Sequence, residues 1–372
     1  MNILIVSPDY PDNYHNGAAF VQQLVNEFAR IGNNCFVIAP HSITNTKRLS
    51  QGREQIKIGN GTVTIERPNH FSFSTLRIFG KSISSITRQR AINKVLRKAM
   101  FVPDVVYCHF WRCGYEGYNY AKKNNLPLFV ASGESSIPSI EYSDKKAFYQ
   151  YVRGVICVST KNKQESIEKG MTTEQKCIVL PNAINQNLFK RLDKIECRKK
   201  LGISENVFVT ATLGWFSQRK GQHRVVEAIN TLDDDNIKSM FIGGGDEKPE
   251  GKHIIFRGQV MHDDVPVYLN AADVYVLPTR AEGCCNSIIE AMACGLPVVS
   301  SDLPFNYDIC DNSNSILVNP DDVEGIAVAI NKMKSNKELR KELAEGAIKT
   351  AQNLTIEKRA EKILEFIEKR IN

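Results

Sequence analysis

The sequence lacks any long apolar run. Although 42% of its 372 residues are hydrophobic, no stretch approaches the roughly 20 apolar residues that a membrane-spanning helix needs. Residues Met1 to Val6 also lack the basic region with which a signal peptide begins, and we expect them to form a first strand. These absences argue against an integral membrane protein and predict a cytoplasmic one.

The ten cysteines lack the spacing of a metal site or a disulfide framework. They are scattered, no Cys-x-x-Cys pair occurs, and the few histidines do not cluster with them. Cys284 and Cys285 are adjacent, so a disulfide between them would be strained. We therefore predict small, buried, reduced side chains and no structural metal.

Two nucleotide-related motifs are also missing. The glycines at 243–245 follow an apolar run, but no Gly-x-Gly-x-x-Gly fingerprint leads from them into a helix, so we expect a tight turn. The acidic run Asp233 to Asp235 lies in a polar stretch, and we expect it to be solvated rather than to bind a metal.

Acidic residues are absent between Glu66 and Asp104. Eight basic residues lie in this interval, and apolar residues from Leu76 to Ala99 approximate a helical stripe, so residues 76–101 read as a basic amphipathic segment. One interpretation is a solvated helix face, and the other is docking to an anionic membrane that holds a lipid-linked acceptor. No stacking pattern of aromatic residues accompanies the charge, which argues against nucleic-acid binding.

Apolar runs alternate with helical patterns along the chain. The opening shows a strand, a helical face from Phe20 to Ile31 and a second strand from Cys35 to Ala39, which is the start of a parallel sheet with right-handed crossovers. A length of 372 residues suggests two domains of ordinary size. The fold class predicted from these patterns is α/β.

The stretch from Leu277 to Val299 carries the strongest functional signal. An apolar run ends at Pro278, a polar turn follows, and a short helix from Ser287 to Cys294 is expected, with Asn286 or Ser287 as its N-cap. The unpaired N–H groups at such a helix start attract a phosphate or diphosphate. Glutamates repel phosphate, but Glu282 and Glu290 can accept hydrogen bonds from sugar or ribose hydroxyls beside it.

This stretch closely resembles the retaining glycosyltransferases of family four. The resemblance rests on Glu282-x7-Glu290 within the longer pattern Glu-Gly…Asn-Ser…Glu-Ala-Met-Ala-Cys-Gly-Leu-Pro-Val-Val. The resemblance implies the GT-B fold, with two doubly wound Rossmann-like domains facing across a deep cleft. It places an acceptor-binding domain at 1–184 plus 355–372 and a nucleotide-sugar-binding domain at 185–354. The boundary follows a Pro181-Asn182 segment in which Ala183 replaces the family's glycine.

The resemblance also implies site residues. His109 would lie against the donor sugar, Lys220 would contact the diphosphate, Glu282 would hold the sugar hydroxyls and Glu290 the ribose. Gly258 resembles a position in a segment that binds the nucleotide base through main-chain groups. The full set is three catalytic residues, His109, Lys220 and Glu282, and the donor-binding residues Gly17, Arg219, Lys220, Gly258, Glu282, Gly283, Cys284, Cys285, Asn286, Ser287 and Glu290.

Two positions depart from the family pattern. Ala18 stands where the family has the second glycine of a pair that begins with Gly17, and Trp215 stands where it has a donor-binding arginine. Arg219, next to Lys220, is positioned to supply the missing guanidinium, which can fork onto phosphate oxygens. Its other interpretation is a solvent-exposed base beside the working lysine.

The implied reaction transfers a glycosyl group from a nucleotide-diphosphate sugar to a glycan or lipid-linked acceptor, with retention at the anomeric carbon. No cofactor or metal is expected, since cationic residues and helix amides would stabilise the leaving nucleoside diphosphate. The family suggests bacterial surface polysaccharide or glycolipid biosynthesis, in the cytoplasm or peripherally on the inner face of the membrane. The alternatives are a nucleotide-sugar epimerase of the same fold and a non-catalytic sugar-nucleotide-binding subunit.

Overall fold

The computed structural model describes residues 1–12, 17–43, 52–73, 77–78, 81–137 and 144–371. The strands are β1 (Asn2–Val6), β2 (Asn34–Ile38), β3 (His41–Ser42), β4 (Arg53–Ile58), β5 (Gly61–Glu66), β6 (Asn69–His70), β7 (Arg77–Ile78), β8 (Lys81–Ser82), β9 (Val105–His109), β10 (Leu128–Ser132), β11 (Gly154–Cys157), β12 (Cys177–Val179), β13 (Phe208–Leu213), β14 (Ile237–Ile242), β15 (Ile254–Gly258), β16 (Val274–Leu277), β17 (Val298–Ser301) and β18 (Ser315–Val318).

The α-helices are α1 (Ala19–Arg30), α2 (Ile83–Lys98), α3 (Trp111–Lys123), α4 (Lys145–Tyr151), α5 (Thr160–Glu168), α6 (Lys194–Leu201), α7 (Gln222–Leu232), α8 (Val265–Ala271), α9 (Asn286–Ala293), α10 (Val323–Ser335), α11 (Lys337–Asn353) and α12 (Ile356–Ile371). Two short 3₁₀ helices, Glu174–Lys176 and His262–Asp264, complete the regular structure of the described residues.

The chain divides into two compact units. The first unit contains Met1–Leu180 and Ile356–Asn372, and the second contains Pro181–Thr355. The sequence places the same two boundaries at 184/185 and 354/355.

The first unit is built on a sheet in the order β12-β11-β10-β9-β1-β2-β5-β4. Every pairing in it is parallel except that of β4 with β5. All residues of β9, β10 and β11 are buried, as expected for parallel strands that are covered on both faces. Helix α12 completes this unit: Phe366 packs against Phe129 at 6.1 Å between ring centroids, and a Cβ added to Gly154 would lie 2.7 Å from the Phe366 ring.

The second unit has a six-stranded, all-parallel sheet in the order β15-β14-β13-β16-β17-β18. Counted within the unit, this is the order 3-2-1-4-5-6 of a doubly wound Rossmann-type sheet. The strand order reverses between β13 and β16, so the carboxyl ends of these two strands border the crevice in which such sheets bind ligands. In the first unit the corresponding reversal lies between β1 and β9.

The prediction of a basic amphipathic segment at 76–101 requires correction. Leu76 and Phe79 lie outside the described residues. On α2, Ile92 and Leu96 are buried and Val95 packs against the core of the first unit, so the apolar stripe already has a partner. One base of the segment is buried as well, because Arg88 pairs with Glu116; Arg67, which precedes the segment, is buried and pairs with Glu54.

The prediction that the cysteines are buried is confirmed for nine of the ten. All ten cysteines lie in described segments, none forms a disulfide, and all except Cys177 are buried. Among the residues that the structure describes, no helix is long and apolar enough to cross a bilayer.

Candidate active site

In the second unit, two glycine-rich loops follow β13 and β14 and pack backbone against backbone. Gly214 has φ 145° and Gly243 also has φ 145°, and a Cβ on Gly243 would lie 2.0 Å from the Gly214 carbonyl oxygen. The tight turn predicted at 243–245 is not formed: the segment runs on beside 214–216, where Phe216 N–H donates to the Gly244 carbonyl, and its glycines are required by this close approach. This contact fixes the loop that carries Arg219 and Lys220.

Glu282, in the loop after β16, forms ion pairs with both Arg219 and Lys220. Its Oε1 lies 2.8 Å from Lys220 Nζ and 2.5 Å from Arg219 Nη1, and it accepts a 3.0 Å hydrogen bond from the Thr279 hydroxyl. Lys220 is seated deeply, with only 12% of its side chain exposed, while the Arg219 side chain is 43% exposed. No contact with another described residue is recorded for Oε2 of Glu282, so one carboxylate oxygen anchors the cluster and the other can bind a ligand.

Helix α9 starts beside this cluster, one residue earlier than the sequence suggested. It begins at Asn286, and Cys285 is its N-cap, with no side chain capping the first turn. The prediction that Asn286 or Ser287 caps the helix was wrong because both side chains bond elsewhere. Tyr275 donates its hydroxyl proton to Ser287 Oγ at 2.7 Å, and the Asn182 amide donates to Asn286 Oδ1 at 2.7 Å and to the Cys284 carbonyl at 3.1 Å.

The uncapped start of α9 is close to the lysine. Lys220 Nζ lies 4.0 Å from Cys285 Sγ. Burial by itself would lower the pKa of Lys220, but the Cys285 and Glu282 groups outweigh it and the pKa is raised. The ammonium group is therefore charged at neutral pH and adds to the positive potential of the helix start.

Glu290 lies one turn into α9 and has a different environment from Glu282. No hydrogen bond or ion pair with another described residue is recorded for its carboxylate. Burial raises its pKa to about 7, although the charge of Lys220 opposes the shift. A carboxyl group in this state can change its ionisation when a polar ligand arrives.

Two buried side chains that the sequence did not single out hold the loop of Trp215 to Lys220. Gln222 Nε2 donates to the Trp215 carbonyl at 3.1 Å, and Arg224 donates to the Gln218 carbonyl at 3.1 Å and to the Pro278 carbonyl at 2.7 Å. Trp215 itself is 56% exposed. The backbone is thus anchored while the indole is accessible.

The structure brings together most of the predicted residues of this unit. Arg219, Lys220, Glu282, Glu290 and the segment Gly283 to Ser287 all lie on the loops and helix that follow β13 and β16. Gly258 ends β15, where its carbonyl accepts a 2.7 Å hydrogen bond from Gly243 N–H, so that carbonyl is already engaged.

In the first unit, His109 ends β9 and is buried. Its ring packs edge-on against Tyr107 at 5.1 Å and Phe20 at 6.1 Å between centroids, and its Nε2 is buried without a hydrogen-bond partner. Burial, followed by the charge of Arg359, lowers its pKa to about 3. His109 is consequently a neutral imidazole.

Gly17 and Ala18 precede α1 in the same unit. Ala18 is the N-cap and has φ 57° and ψ 35°, the left-handed region that favours glycine. The second position of the family's glycine pair is therefore a strained alanine here.

Within the described ranges, no group of three or more His, Cys, Asp or Glu side chains gathers to hold a metal ion. The acidic run at 233–235 is as predicted: Asp233 and Asp235 are exposed and Asp234 pairs with Lys334.

A Rossmann-ordered sheet with a lysine, an arginine and an uncapped helix start at its reversal point places this chain among the α/β proteins, and its arrangement suits an anionic ligand such as a phosphate group. The family comparison narrows this class: residues 193–350 match the model described as glycosyl transferases group 1. The resemblance seen in the sequence is thereby confirmed.

Relatives extend the match beyond the second unit. The chain is 26% identical to a Bacillus subtilis glycosyltransferase named for teichuronic acid biosynthesis, TuaC, over 95% of this chain and 94% of that protein. It is 24% identical to the Escherichia coli UDP-Gal:alpha-D-GlcNAc-diphosphoundecaprenol alpha-1,3-galactosyltransferase, over 73% of this chain and 76% of that protein.

Solved structures show the fold. Sucrose-phosphate synthase from Thermosynechococcus elongatus matches with a TM-score of 0.80 at 18% identity, over 99% of both chains. Anabaena Alr3699/HepE in complex with UDP and glucose matches with a TM-score of 0.73 at 17% identity, also over 99% of both chains. The predicted GT-B fold class is confirmed.

Proposed function

We propose that this protein is a retaining glycosyltransferase that transfers a sugar from a nucleotide-diphosphate sugar to an acceptor hydroxyl. One observation carries the proposal: Lys220, Arg219 and the uncapped start of α9 converge with Glu282 at the reversal point of the second unit's sheet. This arrangement combines a positive site for a diphosphate with carboxylates for sugar hydroxyls. The second unit would bind the donor and the first the acceptor.

The leaving group determines what the cations do. When the bond between the anomeric carbon and the diphosphate breaks, negative charge develops on the phosphate oxygens. Lys220, Arg219 and the amides around Cys285 to Ser287 would stabilise that charge without a divalent metal. Glu282 Oε1 keeps the two cations in place, and its Oε2 would accept a hydrogen bond from the donor sugar.

Glu290 would hold the ribose. An ionised carboxylate accepts stronger hydrogen bonds from two neighbouring hydroxyls than a protonated carboxyl group does, and the Glu290 pKa of about 7 places that change near neutral pH. Donor affinity is therefore expected to rise between pH 6 and pH 8.

His109 would act as a neutral hydrogen-bonding group against the donor sugar while positive charge develops at the anomeric carbon. The acceptor oxygen forms the new bond on the face from which the diphosphate leaves, and the proton of the acceptor hydroxyl passes to a departing phosphate oxygen. This front-face course retains the anomeric configuration, and we assign no covalent nucleophile.

The relatives suggest the biological setting. TuaC is named for teichuronic acid biosynthesis, and the E. coli relative is named for a UDP-galactose donor and a diphosphoundecaprenol-linked acceptor. We propose a cytoplasmic, cofactor-independent hexosyltransferase that acts in bacterial surface polysaccharide or glycolipid biosynthesis.

A thermal-shift screen of UDP-, GDP- and ADP-sugars tests the donor. A ligand present at 100 times its Kd stabilises the folded state by roughly 2.7 kcal/mol, so the correct donor should raise Tm clearly above its nucleotide competitors. Absence of a shift with every donor would contradict the proposal. Slow hydrolysis of the selected donor would argue against a non-catalytic subunit, and a C2 epimer formed from donor alone would indicate an epimerase.

We further propose that α2 docks on the anionic inner face of the cell membrane. Its solvent-facing side presents four exposed bases, and the chain just beyond it exposes Met100 by 93% and Val102 by 78%. Each base near an anionic surface contributes roughly 1 kcal/mol at low salt. The four bases are Arg90, Lys94, Arg97 and Lys98.

Vesicle sedimentation tests this docking. The double variant Lys94→Ala/Lys98→Ala should lose about 2 kcal/mol of partitioning into phosphatidylserine-containing vesicles, with little change for neutral vesicles. Lys199→Ala/Lys200→Ala, on exposed residues of α6, serves as the charge-matched control. If the wild-type protein is not retained by anionic vesicles at low salt, the docking proposal fails.

A further inference from the structure

We propose that a polar cavity in the first unit binds a sugar unit that carries an anionic substituent, a carboxylate or a phosphate, and that this unit belongs to the acceptor. The cavity has a volume of about 470 Å³ and lies beyond the carboxyl ends of β1 and β2. The acceptor role rests on the proposed function; the binding does not. The residues of this serine–histidine cavity that carry the argument are His41, His70, Ser84, Ser85, Arg88 and Arg112.

His41 provides the first indication of a ligand. It is 2% exposed, it lines the cavity, and neither ring nitrogen has a hydrogen-bond partner among the residues that the structure describes. Its Nε2 is 3.8 Å from Asp12 Oδ2, which is beyond a hydrogen bond. An unsatisfied buried polar group costs folding free energy, so His41 has a donor and an acceptor that a polar ligand would satisfy.

His70, on the neighbouring strand, also lines the cavity. Strands β3 and β6 are parallel and pair His41 with Asn69 and Ser42 with His70, so the two histidines are one position apart in register. The Nδ1 of His70 donates to the Phe71 carbonyl at 3.2 Å, which leaves Nε2 as an acceptor in the neutral ring. The two imidazoles are the groups suited to sugar hydroxyls, because the Ser84 hydroxyl already donates to the Phe73 carbonyl at 3.0 Å and Ser85 Oγ already accepts from Arg112.

The start of α2 gives one wall of the cavity a positive potential. Helix α2 has 16 residues, no side chain caps its start, and its first turn contains no acidic residue. Ser84 and Ser85 in that turn line the cavity. The helix therefore directs its positive end toward this space, which favours an anion.

Two arginines increase that potential. Arg88 and Arg112 share the single carboxylate of Glu116, at 2.8 Å and 3.6 Å, which leaves one net positive charge. Arg88 also donates to the carbonyls of Ser7, Pro8 and Pro40, so its role is structural. Arg112 is 54% exposed and donates to Ser85 Oγ at 3.1 Å, so it can turn toward an anionic ligand.

One carboxylate also lines the cavity. Asp9 is among the lining residues, and its Oδ1 accepts the Tyr10 N–H at 2.9 Å. A ligand carboxylate or phosphate would be repelled by Asp9 and attracted to Arg112 and the start of α2. Neutral hydroxyl-binding groups and one positive end together specify an acidic sugar rather than a neutral one.

NMR of the full-length protein with isotope-labelled histidine tests the inference. The probes are D-glucuronate, D-glucose 6-phosphate and D-glucose, and the readout is the imidazole resonances of His41 and His70, assigned with single His→Gln variants. At least one anionic probe should move both resonances at concentrations roughly tenfold below those that glucose needs, the scale of a charge-assisted hydrogen bond. A preference for glucuronate indicates a carboxylate, and a preference for glucose 6-phosphate indicates a phosphate.

Arg112→Ala should abolish the preference for anionic probes, and this variant is expected to fold because the side chain is half exposed. Arg90→Ala, at an exposed position of α2, removes an equal charge and should leave the preference intact. Equal affinity for all three probes in the wild type, or no movement of the two resonances with any probe, would overturn the inference. If the protein transfers sugar but binds none of the probes, only this inference is refuted. If it binds the probes but transfers sugar from no nucleotide sugar, only the proposed function is refuted.

Discussion

Both units contain a largely parallel sheet, but the side chains at the carboxyl ends of the strands differ between them. In the second unit, charged groups at the ends of β13 and β16 are paired with one another, as in the cluster of Lys220, Arg219 and Glu282. In the first unit, His41 and His109 near the ends of β2 and β9 are buried, and His109 Nε2 and both ring nitrogens of His41 have no hydrogen-bond partner among the described residues. A paired charged site keeps its form without ligand, whereas unpaired hydrogen-bonding groups depend on a ligand for satisfaction.

The family comparison follows the same division. The matching region, 193–350, lies within the second unit. The charged site lies in the part that the family model matches, whereas His41 and His109 lie in the part where the likeness rests on relatives such as TuaC, which cover nearly the whole chain. We expect substitutions at the charged site to affect catalysis and donor binding, and substitutions in the serine–histidine cavity to affect the acceptor.

The largest expected effect comes from Lys220→Ala. Removing one preorganised donor from a developing oxyanion lowers kcat by roughly 10²-fold or more. Steady-state kinetics with the donor chosen by thermal shift would measure it. Lys200→Ala, an exposed lysine of the same unit, should behave as wild type, and unaltered turnover in Lys220→Ala would refute the assignment.

Glu290→Gln should change the pH dependence of stability. The pKa of Glu290 in the folded protein, about 7, is above its value of roughly 4.3 in the unfolded chain. The unfolded state therefore ionises first as pH rises, and the wild-type protein loses stability until pH passes about 7. The variant lacks this loss, so its advantage in urea unfolding should grow by roughly 2–3 kcal/mol from pH 5 to pH 8.

The matched control for that experiment is Glu342→Gln on an exposed position of α11, whose difference from wild type should not vary with pH in this way. If the difference in free energy of unfolding between Glu290→Gln and the wild type does not change with pH, the Glu290 carboxyl group is solvated.

Arg219→Ala should raise the donor KM about tenfold, the effect of losing one charge-assisted bond. Adding Trp215→Arg to this variant places a guanidinium at the family's usual position and should recover part of the loss. The exposed Arg153 of the first unit supplies the control, Arg153→Ala. A donor KM that does not change in Arg219→Ala would mean that Arg219 serves only to pair with Glu282.

The smallest expected effect is a gain in stability from Ala18→Gly. Relief of the left-handed conformation of Ala18 should outweigh the added flexibility of the unfolded chain and raise the free energy of unfolding by about 0.5–1 kcal/mol. Ala147→Gly, at an exposed position within α4, should have the opposite sign. Destabilisation by Ala18→Gly would indicate that the Ala18 methyl group makes a compensating contact.

The sequence by itself determined the order of the elements and the residues of the charged site. Hydrophobic runs, proline stops and the long motif around Glu282 and Glu290 are local features, and local features fix where strands end and helices begin. They did not reveal that Asn286 and Ser287 are held by Asn182 and Tyr275, or that much of α2's apolar face is covered.

Only the tertiary structure decided which strand ends are neighbours. The pairing of β13 with β16 joins residues more than 60 positions apart, and it places Lys220 against Glu282. The serine–histidine cavity combines two-residue strands with a helix start, and none of these has a periodic signal. Long-range packing and charge pairing bring these strands and the helix start together, because short segments gain a fixed conformation only from the structure around them.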